Sequence, residues 1–199
     1  MNFAVLASGN GSNLQAIIKA VKAKKIKADL VLVFSDKADA FALTRARKAR
    51  IPAAALSPKG FPDRESFDRA VIDLLREHKV DFIVLAGYMR ILSPLFIRAY
   101  ANKILNIHPS LLPAFKGAHA IRDAFDYGVK VTGVTVHFVD EEIDNGAVIL
   151  QEAVPILPKD TLAKLEQKIH RAEHKIYFRA VNLFATGKIK ISGRTVKIS

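Results

Sequence analysis

Short apolar runs alternate with helix-spaced stripes through the first hundred residues of the chain. Residues 3–7 are apolar throughout and read as a buried strand, closed by the turn Ser8-Gly9-Asn10-Gly11. Leu14, Ile17, Ile18 and Val21 then recur at i, i+3, i+4 and i+7, which is one face of a helix. Ser12 followed three positions later by Gln15 has the form of a capping box and predicts that the helix starts there. Residues 30–34 predict a second strand, 40–49 a second helix and 52–56 a short third strand. Phe67, Val71, Leu74 and Leu75 mark a longer helix ending near His78. Residues 82–86 form the strongest strand signal, and 104–107 another. Wholly apolar strands separated by helices predict a parallel sheet covered on both faces, an α/β fold.

The pattern changes in the second half. A helix is predicted from Ala120 to about Gly128, followed by a long β-rich stretch over 131–139. A polar loop at 140–146 separates it from a further strand at 147–154. Residues 161–185 read as one long helix, and the tail 188–198 alternates about Ser192-Gly193 as a hairpin does. With no repeat and no linker, one domain is expected.

Composition narrows the function. Half of the 199 residues are apolar and a quarter charged, the balance of a globular protein. The absence of Cys excludes disulfides, thiolate metal sites and a cysteine nucleophile. No apolar run approaches a membrane span, and no basic residue precedes Lys19, so a cytoplasmic protein with no membrane partner is expected. The net charge of +12 favours anionic partners: nucleic acid, phosphorylated metabolites or polycarboxylates. The cluster Lys19, Lys22, Lys24, Lys25 and Lys27 reads as a solvated face, and with 8% aromatics and no Trp a base-stacking platform is poorly supported.

Three segments carry candidate chemistry. The stretch Ser8-Gly9-Asn10-Gly11-Ser12-Asn13 between strand and helix can present backbone N–H groups to a phosphate. It is neither a Walker loop nor a dinucleotide fingerprint, since Leu14 stands where the third Gly belongs. Asn106 and His108, two apart on one strand, share a face at the carboxyl end of that strand, where ligands bind in open α/β sheets. A lone histidine there is more often structural; the asparagine beside it turns the balance toward chemistry. The loop Asp140-Glu141-Glu142-Ile143-Asp144 lacks the spacing of a calcium loop, and no metal is expected. A carboxylate from it paired with His108 would stabilise the imidazolium, a useful donor to a developing oxyanion. His170 and His174, four apart, lack a third ligand and read as surface or edge residues. Glu173 lies between them, and His137 reads as hydrogen-bonded structure.

Together these segments resemble the phosphoribosylglycinamide formyltransferases, folate-dependent enzymes of purine biosynthesis. The resemblance extends over nearly the whole chain. It is carried by Ser8-Gly-Asn-Gly-Ser-Asn-Leu-Gln15, Val84-Leu-Ala-Gly-Tyr-Met-Arg-Ile-Leu92, Asn106-Ile-His-Pro-Ser-Leu-Leu-Pro113 and Thr135-Val-His-Phe-Val-Asp-Glu141. Glu173-His-Lys-Ile-Tyr177 and Gly193-Arg194 continue it. The resemblance implies a single formyltransferase domain over 1–199, with a Rossmann-like parallel sheet extended by antiparallel strands, a long C-terminal helix and a terminal hairpin. Residues 1–100 would form the phosphate-binding half and 101–199 the catalytic and folate-binding half.

It further implies that Asn106, His108 and Asp144 are catalytic, and that Gly11, Ser12, Asn13 and Glu173 bind the ribonucleotide. Arg64, Met89, Arg90, Ile91, Leu92, Asn106, Val139 and Asp140 would border the folate, with Lys116 and Gly117 in a mobile loop nearby. The implied reaction moves a formyl group from 10-formyltetrahydrofolate to the amine of phosphoribosylglycinamide through a tetrahedral intermediate. No metal and no nucleic acid would take part, and the protein would be a monomer or homodimer. Methionyl-tRNA formyltransferase shares the Asn-x-His motif but carries an extra C-terminal domain, and formyltetrahydrofolate deformylase carries an extra N-terminal region. A basic nucleic-acid-binding module is the alternative of a different class, though the lysines are scattered and no motif of that kind is present.

Overall fold

The alternation of side chains along each central strand supplies two apolar faces, and helices cover both. The computed structural model describes all 199 residues. Elements follow in the order β1 (Asn2–Leu6), α1 (Ser12–Lys22), β2 (Asp29–Ser35), α2 (Phe41–Lys48), β3 (Ala53–Ala55), a 3-10 turn (Pro58–Gly60), α3 (Arg64–Glu77), β4 (Phe82–Leu85), α4 (Pro94–Ala99) and β5 (Ile104–His108). The chain continues through α5 (Ala120–Tyr127), β6 (Val131–Phe138), β7 (Val148–Pro155), α6 (Leu162–Ala185), β8 (Ile189–Ser192) and β9 (Thr195–Ile198). Seven strands form one sheet in the order β3-β2-β1-β4-β5-β6-β7, and β8 pairs with β9 separately. Pairing is parallel from β3 to β5 and antiparallel from β5 to β7. This is the expected α/β architecture, a single domain with its antiparallel extension, long final helix and terminal hairpin.

Phe3, Val5, Phe82, Val84, Leu105 and Ile107 point into the larger core, beneath Leu14, Ile17 and Ile18 of α1 and Ile169, Ile176 and Tyr177 of α6. The intervening Ala4, Leu6, Ile83, Leu85 and Ile104 face a smaller core built with Phe67, Val71 and Leu75 of α3 and Phe96 of α4. The rings of Phe3 and Phe82 stack at 5.2 Å between neighbouring strands. No helix is long and apolar enough to cross a membrane.

Local chemistry sets the helix ends. Asp63 caps α3 by accepting from the Ser66 amide at 2.7 Å, and that bond holds its carboxyl below the usual range. Ser93 caps α4 ahead of Pro94, and Thr161 caps α6. The capping box expected at Ser12 and Gln15 does not form. Gly11 is the N-cap residue, in the left-handed region at φ +74°, and no side chain caps α1. Gln15 instead accepts a hydrogen bond from Arg45 Nη1 at 3.1 Å, drawn toward α2 by a charged donor.

The chain leaves β1 toward β2 and β3, then returns to the other side of β1 as β4. The carboxyl ends of β1 and β4 therefore flank the point where winding reverses, the usual ligand crevice of such sheets. Ser8 fastens the two ends together: its amide donates to Gly87 O at 2.9 Å, and its hydroxyl accepts from the Met89 amide at 2.9 Å.

Candidate active site

Because Leu105 and Ile107 point into the larger core, Asn106 and His108 turn to the opposite face. They look into a cleft of ≈ 450 Å³ at the carboxyl end of β5. The cleft is also lined by Met89, Arg90, Ile91, Leu92, His137, Val139, Asp140 and Asp144, with Leu85 and Ile97 among its apolar residues. Asn106, His108 and Asp144 and the Met89–Leu92 segment, singled out from the sequence, thus share one cavity, together with Val139 and Asp140.

Antiparallel pairing sets Asn106 opposite His137 and His108 opposite Thr135. Asn106 Nδ2 lies 3.2 Å from His137 Nε2, while His137 Nδ1 lies 2.7 Å from the Phe138 carbonyl. A carbonyl only accepts, so Nδ1 carries the proton. Burial pushes the His137 pKa down, outweighing the Phe138 bond and Asp144, and the ring is neutral at pH 7. Its Nε2 lone pair therefore accepts from Asn106 and fixes the amide orientation. The second Nδ2–H of Asn106 is free for a ligand.

His108 lies between two acceptors. Its Nδ1 is 3.3 Å from Asp144 Oδ2, and its Nε2 is 2.8 Å from the Phe115 carbonyl oxygen. A ring carrying a proton on each nitrogen would donate to the Phe115 carbonyl and turn its second N–H toward Asp144. The loop that supplies Phe115 also donates Gly117 N–H to Asp144 Oδ2 at 2.9 Å, so it grips both members of the ion pair. Phe115 and Asp144 sit in the left-handed region, at φ +51° and +50°. Gly146 holds the Asp144 loop down, because a Cβ there would overlap the Phe138 carbonyl oxygen. Thr135 Oγ1 fixes the exit from β5 by donating to Ser110 O at 2.7 Å and accepting from Leu112 N at 3.1 Å. No group of three or more His, Asp or Glu side chains is arranged to hold a metal ion.

A second cluster gathers around the glycine-rich loop. The helix α2 packs so closely on Gly11 that a Cβ would stand 2.9 Å from Ala42 Cβ. Arg45 braces the loop through Asn10 O at 2.8 Å and Asn10 Oδ1 at 2.9 Å. With no side-chain cap, the first-turn amides of α1 are open to an anion. Asn13 Nδ2 donates to Glu173 Oε2 at 3.2 Å, and His170 Nδ1 donates to the same oxygen at 2.8 Å. Glu173 is buried, and the half-exposed His170 is ion-paired with it.

Gly11, Ser12, Asn13 and Glu173 do not line the cleft itself; Ser8 and its bond to Met89 connect the two regions. Arg64 belongs to neither, because as the first residue of α3 it is exposed and makes no cleft wall. Both sequence halves contribute to each cluster, since Met89–Leu92 precede residue 100 and Glu173 follows it.

A formyl transferase family profile matches residues 1–181. The chain belongs to the formyl transferase family. Among members of that family, a phosphoribosylglycinamide formyltransferase of Escherichia coli (strain K12) is 48% identical over 191 residues, covering 96% of this chain and 90% of that protein. A trifunctional purine biosynthetic protein adenosine-3 of Chironomus tentans is 47% identical over 192 residues, but the chain spans only 14% of its length. The crystal structure of glycinamide ribonucleotide transformylase 1 from Symbiobacterium toebii superimposes with a TM-score of 0.97 at 47% identity, covering 100% of this chain and 93% of that one.

Two contacts escaped the sequence reading: the hold of His137 on Asn106, and the Phe115 carbonyl on His108. For the first a signal existed. Thr135 and His137 alternate on β6 as Asn106 and His108 do on β5, so an antiparallel partnership would bring the polar pairs together.

Proposed function

We propose that this chain transfers the formyl group of 10-formyltetrahydrofolate to the amine of 5-phosphoribosylglycinamide, giving N-formylglycinamide ribonucleotide and tetrahydrofolate. The observation that carries this reading is the convergence of Asn106, His108 and Asp144 in one cleft, beside an uncapped helix start suited to a phosphate. Family membership and the names of the similar proteins support it.

The folate would lie along the Met89–Leu92 segment, whose apolar walls suit a flat heterocycle. The ribonucleotide phosphate would take the amides of Gly11, Ser12 and Asn13. The substrate amine attacks the formyl carbon, and the carbonyl π pair moves onto oxygen. The free N–H of Asn106 donates to that oxyanion. His108 contributes its Nε2–H once the formyl oxygen takes the place of the Phe115 carbonyl. Asp144 balances the imidazolium charge throughout. The ammonium proton then passes to the folate nitrogen, the C–N bond breaks, and the oxyanion collapses to the new formamide. Preorganised donors of this kind are each worth about 10²–10³ in kcat.

The test is to incubate the protein with both substrates and follow release of tetrahydrofolate, with a parallel reaction lacking the ribonucleotide. Release that requires the ribonucleotide is expected. Equal release with water as the only acceptor would overturn transfer in favour of hydrolysis.

A further inference from the structure

Two histidines of α6 take no part in the chemistry above. His174 has a buried Nε2 without a hydrogen bond, and burial lowers its pKa. His170, one turn earlier, is placed differently. It donates to the same Glu173 oxygen that accepts from Asn13, at 2.8 Å and 3.2 Å respectively. Half of its side chain reaches solvent, while that of Glu173 is 6% exposed. The cluster thus runs from solvent through an imidazole and a buried carboxylate to the first turn of α1. No Lys or Arg forms an ion pair with Glu173, which leaves His170 as its cationic partner. Glu173 Oε1 makes no hydrogen bond and is not sealed from solvent, so one oxygen is held while the other is open to a ligand.

We propose that protonated His170 is a positioning residue for the ribonucleotide, holding the Glu173 carboxylate against Asn13, so that substrate affinity weakens when the imidazole loses its charge. The proposal rests on the formyl-transfer reading and adds a pH control to its ribonucleotide end. A buried carboxylate is costly unless paired, and a charge-assisted bond fixes its geometry more firmly than a neutral one. Deprotonation also leaves one net negative charge beside the helix start that receives the phosphate, which repels it.

The charges acting on His170 are Glu173 and then Glu166, both on α6. From α1 it is faced by Asn13 through the shared carboxylate, while Lys19 acts on the neighbouring His174. The Glu173 bond raises the His170 pKa against the opposing pull of burial. Its charge is therefore kept to higher pH than in an unperturbed histidine and is lost as pH rises through the raised value.

The experiment compares ribonucleotide KM in the intact enzyme and in His170→Gln between pH 6 and 9, with formylfolate saturating. Taking the ratio of variant to wild type at each pH removes the titration of the substrate's own amine and phosphate. The expected ratio is about ten-fold at the acid end, narrowing toward unity at the alkaline end, with kcat and formylfolate KM unmoved. His170→Ala, which deletes the donor altogether, keeps KM raised at every pH. By NMR, the His170 ring titrates at lower pH in Glu173→Gln than in wild type. A pH-independent ratio, or a loss confined to kcat, would overturn the proposal while leaving formyl transfer intact. A wild-type protein that transfers no formyl group would instead overturn the functional reading on which it rests.

Discussion

Replacing His137 by Leu isolates the role of a residue whose ring holds Asn106. The ring is 2% exposed and accepts from Asn106 Nδ2 at 3.2 Å. Leucine fills similar space and leaves that N–H without an acceptor, at a cost of about 1–3 kcal/mol. At 1.4 kcal/mol per decade, the bond has biased the amide toward its productive orientation by roughly 5- to 150-fold. The ceiling is the ~10²–10³ in kcat lost when an oxyanion donor is removed outright. A fall in kcat of about ten- to a hundred-fold is expected, with both KM values within a few-fold. Steady-state assays on His137→Leu, Asn106→Ala and the double variant decide the matter. If His137 acts through Asn106, the double variant is no slower than Asn106→Ala alone. Multiplied losses in the double variant would refute the reasoning.

Acid should imitate the same substitution. Burial holds the His137 pKa down, and protonation places a second N–H against Asn106 Nδ2, so kcat declines as pH falls through that lowered value. The native ring binds its proton less readily than the unfolded chain does. Stability is therefore lost as pH falls from about 6.5 toward the native pKa, and urea titrations of His137→Leu should lack that component. Asp144→Asn keeps the shape but removes the charge facing His108 Nδ1 at 3.3 Å; kcat should fall at least about ten-fold with little change in melting temperature. Gly11→Ala forces a side chain into φ +74° and against Ala42, so denaturant unfolding should show a loss of about 2 kcal/mol. Its ribonucleotide KM should rise more than its kcat falls. Tyr177 is wholly buried and its hydroxyl reaches the carbonyls of Leu85 at 2.6 Å and Leu105 at 3.1 Å. Tyr177→Phe removes both bonds, and about 1–2 kcal/mol of stability should be lost in the same assay.

The strands and longer helices were legible because burial on both sheet faces writes itself as unbroken apolar runs, as at Phe82–Leu85. The helix α4 was not, since six residues are too few for a periodic signal, although Ser93 and Pro94 are a cap and a first-turn proline. The start of α1 at Ser12 was legible but its capping was not: local pattern favoured a capping box, whereas Gly11, packed against Ala42, is the N-cap residue and no side chain caps the helix. Asn106, His108 and Asp144 were legible as a set through two-residue spacing, an acidic loop and the resemblance. Their partners were not. The His137 contact depends on antiparallel register, the Phe115 contact on a loop folding back across the strand end, and the burial of Glu173 on α6 packing against α1. Each is long-range geometry that no local window contains.

The account stands on Asn106 and His108 stabilising an oxyanion more than the ground-state carbonyl. Binding of a stable tetrahedral mimic of the adduct, measured alongside kcat in wild type, Asn106→Ala and His108→Ala, tests this directly. Affinity for the mimic should fall in step with kcat, while affinity for the unreacted formylfolate analogue stays within a few-fold. Variants that lose turnover yet bind the mimic as tightly as wild type would contradict it.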